Sequence, residues 1–151
     1  MKTLFSSALI LFVLTACSKK ESYTGSPLNG TWKLLSGTLI ENGDTIVTDY
    51  TSNVSFIKII NDDHFAFLHH DLTHGTDSAN GVFVAGGGAY TLKNDSLYTE
   101  FLEFCNDRAW EGHDFSFVVT LKDDTLIQKG MEIIPDQGIS RLNIEVYRRV
   151  K

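Results

Sequence analysis

Apolar residues recur at every second position through much of this chain, the spacing of strands with one face buried and one exposed. Phe115, Phe117, Val119 and Leu121 fall on one side of a single run. Ten strands are expected: Thr31–Leu39, Thr45–Asp49, Val54–Ile60, His64–His69, Val82–Ala85, Ala89–Lys93, Leu97–Phe104, Phe115–Leu121, Thr125–Lys129 and Leu142–Arg149. No long stretch has the helical period, so the pattern predicts an all-β domain.

The polar punctuation agrees. Leu92-Lys93-Asn94-Asp95-Ser96-Leu97 and Leu121-Lys122-Asp123-Asp124-Thr125-Leu126 are near copies, each between two apolar runs. Glu41-Asn42-Gly43-Asp44 and Asn61-Asp62-Asp63-His64 have the same character. Asn and Asp tolerate left-handed backbone and bond their own main chain, so these read as tight hairpin turns. They are too short and too poor in converging oxygens for calcium loops. Consecutive hairpins make a meander. Closing it removes two raw edges, so an antiparallel up-and-down β-barrel of about eight to ten strands is expected.

The first residues carry a different signal. Lys2 precedes an apolar run from Leu4 to Leu14, which ends in Leu14-Thr15-Ala16-Cys17. The run is short of the ~20 residues that a membrane-spanning helix needs. A charged start, an apolar core and small residues before a cut describe a secretory signal. The Cys after a Leu-x-Ala triplet resembles a bacterial lipobox, which implies lipidation of Cys17 and a cell-envelope address, with Ser18 pointing to the outer membrane. Three regions follow: a signal at 1–16, a polar tether at 17–27 and a domain at 28–151. The formal charge of −6 and the lack of a basic stripe argue against nucleic acid as a partner. With Cys17 committed to the anchor, Cys105 has no internal disulfide partner and reads as a small apolar packer.

Three segments carry a resemblance. Leu28-Asn29-Gly30-Thr31-Trp32 resembles the Gly-x-Trp opening of lipocalin-like (calycin) domains. Gly86-Gly87-Gly88-Ala89-Tyr90 with Tyr98-Thr99-Glu100, and the close Glu145-Val146-Tyr147-Arg148-Arg149, resemble segments of lipocalin-like lipoproteins of Bacteroidetes-type bacteria. The order of the pieces carries the likeness from about Leu28 to Lys151. Thr48-Asp49-Tyr50 also spells a lipocalin signature, but between early strands, where that motif does not belong. The resemblance implies a barrel holding a small apolar or amphipathic ligand, with Trp32, Tyr90, Glu100, Glu145, Tyr147 and Arg149 as candidate binding residues. Alternation puts Glu145, Tyr147 and Arg149 on one face, and Tyr98, Glu100, Leu102 and Phe104 on another. A Glu100–Arg149 pair inside the barrel is one expectation, and an Arg149 grip on a ligand carboxylate another. The family alternative is that Trp32 packs on Arg149 or Arg148 and only plugs one end.

The remaining motifs point to little chemistry. His69, His70 and His74 lack the rigid three- or four-ligand set that zinc wants, so no metal is expected. Gly86-Gly87-Gly88 lacks the Lys-Ser/Thr of a phosphate loop and reads as a bend or bulge. No nucleophile elbow is present, no cofactor is implied and no enzymatic activity is expected. The alternative to a carrier is a protein-interaction or inhibitor module with a filled barrel, presenting the loops around Trp110 and Met131–Gly138 to a protein partner.

Overall fold

The computed structural model describes residues 25–73, 76–79 and 81–151. The signal segment, Cys17, the tether before Gly25 and His74 lie outside these residues. Among the described residues ten strands form one antiparallel sheet: β1 (Gly30–Glu41), β2 (Asp44–Asp49), β3 (Val54–Ile60), β4 (His64–Asp71), β5 (Phe83–Lys93), β6 (Leu97–Phe101), β7 (Phe104–Cys105), β8 (Asp114–Lys122), β9 (Thr125–Ile134) and β10 (Ile139–Arg149). Pairing runs β1-β3-β4-β5-β6-β8-β9-β10 and returns to β1, which closes an eight-stranded barrel. The all-β barrel expected from the period-two pattern is therefore the fold, with β2 and β7 as additions to the closed wall.

The turns are built as their residues demand. Asn42, Asn94, Asp95 and Asp123 all have positive φ, the left-handed backbone that Asn and Asp tolerate best among side-chain-bearing residues. Asn61 Oδ1 accepts from the backbone N–H groups of Asp63 and His64 at 3.1 and 2.7 Å, which pins the β3–β4 turn.

Two expectations about strand limits need correction. Val82–Ala85 and Ala89–Lys93 are one strand, because Gly86-Gly87-Gly88 continues β5 without a break. The interruption lies in its partner: Leu97–Phe104 divides into β6 and β7. The Leu102 N–H donates to the His113 carbonyl, and the Glu103 N–H turns back to Phe101. The divided chain comes very close to β5 here. A Cβ at Gly88 would lie 1.9 Å from the Phe101 oxygen, and one at Gly86 2.7 Å from the Phe104 oxygen. The glycine run is the room that this approach needs. The break also carries Phe104 off the face it was expected to share. Tyr98, Glu100 and Leu102 are buried, whereas Phe104 is 65% exposed.

β1 changes partners along its length. It pairs β3 over Gly30–Lys33 and β2 over Ser36–Glu41, and its register with β10 slips between Leu34 and Ser36. That irregularity inverts the alternation, as a bulge does. Trp32 and Leu34 are buried in the core, and beyond the slip Gly37 and Leu39 face the interior.

One end of the barrel is shut. The Arg149 guanidinium lies 4.0 Å from the Trp32 ring and donates to the backbone oxygens of Asn29 and Pro27. Trp32 Nε1 donates to the Leu28 oxygen at 2.7 Å. The segment before β1 is thus tied across the barrel floor, with Leu28, Trp32, Leu34, Leu126 and Tyr147 almost wholly buried above it. Stacking of a guanidinium on indole, with its donors engaged, is a stabilising arrangement that a lysine cannot reproduce.

Candidate functional site

Above the plug the barrel is not filled. A cavity of about 240 Å³ runs from Lys58, Glu100 and Tyr147 near the floor to Trp110 and Arg141 at the open end. Aromatic and polar side chains share its walls. The Phe56 ring stacks on Phe67 at 5.9 Å, and Tyr50 meets Phe56 edge-on at 5.9 Å. Phe115, Phe117 and Leu102 line the opposite side.

The floor is polar and hydrogen-bonded. Lys58 and Glu100 are both buried, with Lys58 Nζ 2.6 Å from Glu100 Oε1 and 3.1 Å from Gln128 Oε1. The ammonium also lies 5.3–6.0 Å from the ring centres of Tyr147, Phe65 and Tyr98. Burial pushes the Glu100 carboxyl above its ordinary value, against the opposing pull of Lys58. The expected Glu100–Arg149 pair is not formed. Lys58 takes Glu100, and Arg149 is committed to the plug, one level below.

A second polar layer sits near the mouth. Arg141 Nε donates to Glu132 Oε2 at 2.7 Å, and Asn143 Nδ2 donates to Glu132 Oε1 at 2.7 Å. The Arg141 guanidinium lies 5.1 Å from the Trp110 ring, which packs on Phe115 at 5.6 Å. The loop that carries Trp110 is tied at both ends, by Asn106 N–H to the Ala85 oxygen and by Gly112 N–H to the Leu102 oxygen. Between the layers stands Glu145, whose Oε2 accepts from the Tyr147 hydroxyl at 2.8 Å. Burial, then the Glu145 charge, raises both Tyr147 and Tyr50 above the usual phenol range, so both hydroxyls remain protonated.

Of the six candidate binding residues, Glu100, Glu145 and Tyr147 line the cavity together. Trp32 and Arg149 form the plug. Tyr90 is buried near the floor, where its hydroxyl donates to the Asn61 oxygen at 2.8 Å, and none of these three is part of the cavity lining. Sequence reasoning missed Lys58, Gln128, Glu132, Arg141 and Tyr50. For Lys58 the signal was present: Val54, Phe56, Lys58 and Ile60 share one face of β3, which puts a charge at a core position. Tyr50 belongs to the Thr48-Asp49-Tyr50 match, and the structure places Thr48 and Tyr50 on the cavity wall.

The other titratable candidates stand apart. His69 is half-buried against Tyr50 and Phe56, with its Nε2 buried and without a hydrogen-bond partner among the described residues, while His70 on the opposite face is exposed. Among the described residues no three His, Cys, Asp or Glu side chains converge on a metal position. Cys105 is buried, and burial pushes its thiol up, away from the reactive thiolate.

No protein-family model matches this chain, and no curated protein is significantly similar to it.

Proposed function

We propose that this chain is a lipid-anchored, lipocalin-like protein of the bacterial cell envelope that binds a small apolar or amphipathic molecule inside its barrel. One observation carries the binding reading: a cavity of about 240 Å³ between a sealed floor and a mouth framed by Trp110 and Arg141. Aromatic side chains together with convergent polar groups in a concave pocket are the make-up of a small-molecule site. A barrel packed solid with side chains would instead favour the interaction module, and the cavity weighs against that. The anchor rests on the charged start, the apolar run from Leu4 to Leu14 and the Leu14-Thr15-Ala16-Cys17 close. Outer-membrane placement rests on Ser18.

Native mass spectrometry of the protein purified from its own cells, with organic extraction, tests the binding reading. A co-purifying small molecule is expected, at reduced occupancy in Leu39→Trp, which fills the wall near the mouth. An empty protein across growth conditions overturns it. The anchor has its own test. Labelled fatty acid enters the wild type, and Cys17→Ala leaves the membrane fraction.

A further inference from the structure

The charges that face the cavity do not balance. Three carboxylates line it, Glu100, Glu132 and Glu145, against two cations, Lys58 and Arg141. Both cations are committed, Lys58 to Glu100 and Arg141 to Glu132. Glu145 has no cationic partner among the described residues. Among the described residues its one hydrogen bond, from Tyr147, is at Oε2, which leaves Oε1 available. A half-buried carboxylate that no cation meets is open to a counter-charge from a ligand.

The surroundings of Glu145 suit one kind of counter-charge. Glu145 pairs in register with Gly37, over which the Tyr50 ring lies. Tyr147 carries the hydrogen bond, and Phe56 is next to it, with ring centres 6.5 Å apart. An organic cation that reaches the face of an aromatic ring is attracted there, whereas an anion gains nothing from that face. The approach has the same sign. A second cavity of about 210 Å³ at the rim shares Leu39 and Arg141 with the first and adds Glu41 and Asp44. An incoming anion would meet five carboxylates and two cations that already have partners.

Building on the carrier reading above, we propose that the ligand is a small organic cation, a protonated amine on an apolar body. Glu145 Oε1 receives the ammonium, and Tyr50, Phe56 and Tyr147 enclose it. Tyr147 holds the carboxylate in place from its other oxygen.

Three probes with one phenyl body separate the cases: 2-phenylethylamine, 2-phenylethanol and 3-phenylpropionate, each titrated calorimetrically into the purified full-length protein at neutral pH. The amine is expected to bind at least about tenfold more tightly than either of the others, a ratio typical of one well-placed charged contact. Glu145→Gln, which keeps an acceptor for Tyr147, should bring the amine down to the affinity of the alcohol, with a circular dichroism spectrum that shows the fold retained. The wild-type ratios need no variant and decide the matter even if Glu145→Gln misfolds. If the alcohol or the propionate binds as well as the amine, the cation inference falls while the carrier reading stands. If none of the three binds and native mass spectrometry finds nothing bound, the carrier reading falls and takes this inference with it.

Discussion

Lys58 and Glu100, 42 residues apart in the chain, meet at 2.6 Å on the floor of the barrel cavity with both side chains shielded from water. The ion pair is completed by Gln128 and ringed by aromatic faces. It separates the sealed, packed end of the barrel from the open one.

Removing one member of this pair strands the other. Lys58→Met or Glu100→Gln alone should each lose about 3–5 kcal/mol, the usual cost of an uncompensated buried charge. The double variant Lys58→Met/Glu100→Leu should recover most of that loss, because desolvating two ions offsets much of their attraction. Urea denaturation of the four proteins checks this. Single variants as stable as the wild type would mean that the pair is not buried in solution.

The plug should affect stability and leave binding alone. Arg149→Lys loses the stacking on Trp32 and the fork that reaches the Asn29 and Pro27 oxygens, and should cost roughly 1–3 kcal/mol. Trp32→Ala should cost about 3–5 kcal/mol, as large aromatic truncations do. Neither residue lines the cavity. The affinity of Arg149→Lys for 2-phenylethylamine should therefore equal that of the wild type while its melting temperature falls.

His69 makes the fold sensitive to mild acid. Burial, and then the charge of His70, lower its pKa below the ordinary histidine value. A depressed folded-state pKa favours the neutral ring in the native protein. The resulting stability is present above the unfolded-state value of ~6.5 and is lost as pH falls through the lower, folded-state value. His64 works in the opposite sense, since its hydrogen bond to Asp63 raises its pKa. Melting curves between pH 8 and pH 5 should show the wild type losing stability relative to His69→Phe as the solution becomes acidic. Parallel curves would refute this assignment.

The glycine run in β5 should be intolerant of a single methyl group. At Gly88 the added carbon would meet the Phe101 oxygen at 1.9 Å, and at Gly87 the Phe65 oxygen at 2.5 Å. These are backbone atoms and cannot swing aside. Gly88→Ala should cost at least the ~1–3 kcal/mol typical of overpacking. At Gly43 an added Cβ meets nothing within 4 Å, and the strain is that of its positive φ. Gly43→Ala should cost about 1 kcal/mol. Thermal melts of the two variants side by side give the comparison.

By itself the sequence determined the local pieces of this protein. Val54–Ile60 matches its strand from end to end, and the turns at Asn42, Asn94-Asp95 and Asp123 fall where left-handed backbone is required. Alternation also placed Glu145, Tyr147 and Arg149 on the inner face of β10. These are short-range matters, set by which side chains alternate and which backbones a residue tolerates. Tertiary structure alone decided which inward residues meet. Lys58 claims Glu100, Arg149 settles on Trp32, and Glu145 is left facing the cavity. The slip between Leu34 and Ser36 that turns Gly37 and Leu39 inward also arises from pairing. A period of two tells which face a side chain takes. The height at which it meets its neighbours depends on register and on how the sheet closes, and both are fixed only when strands far apart in sequence pair.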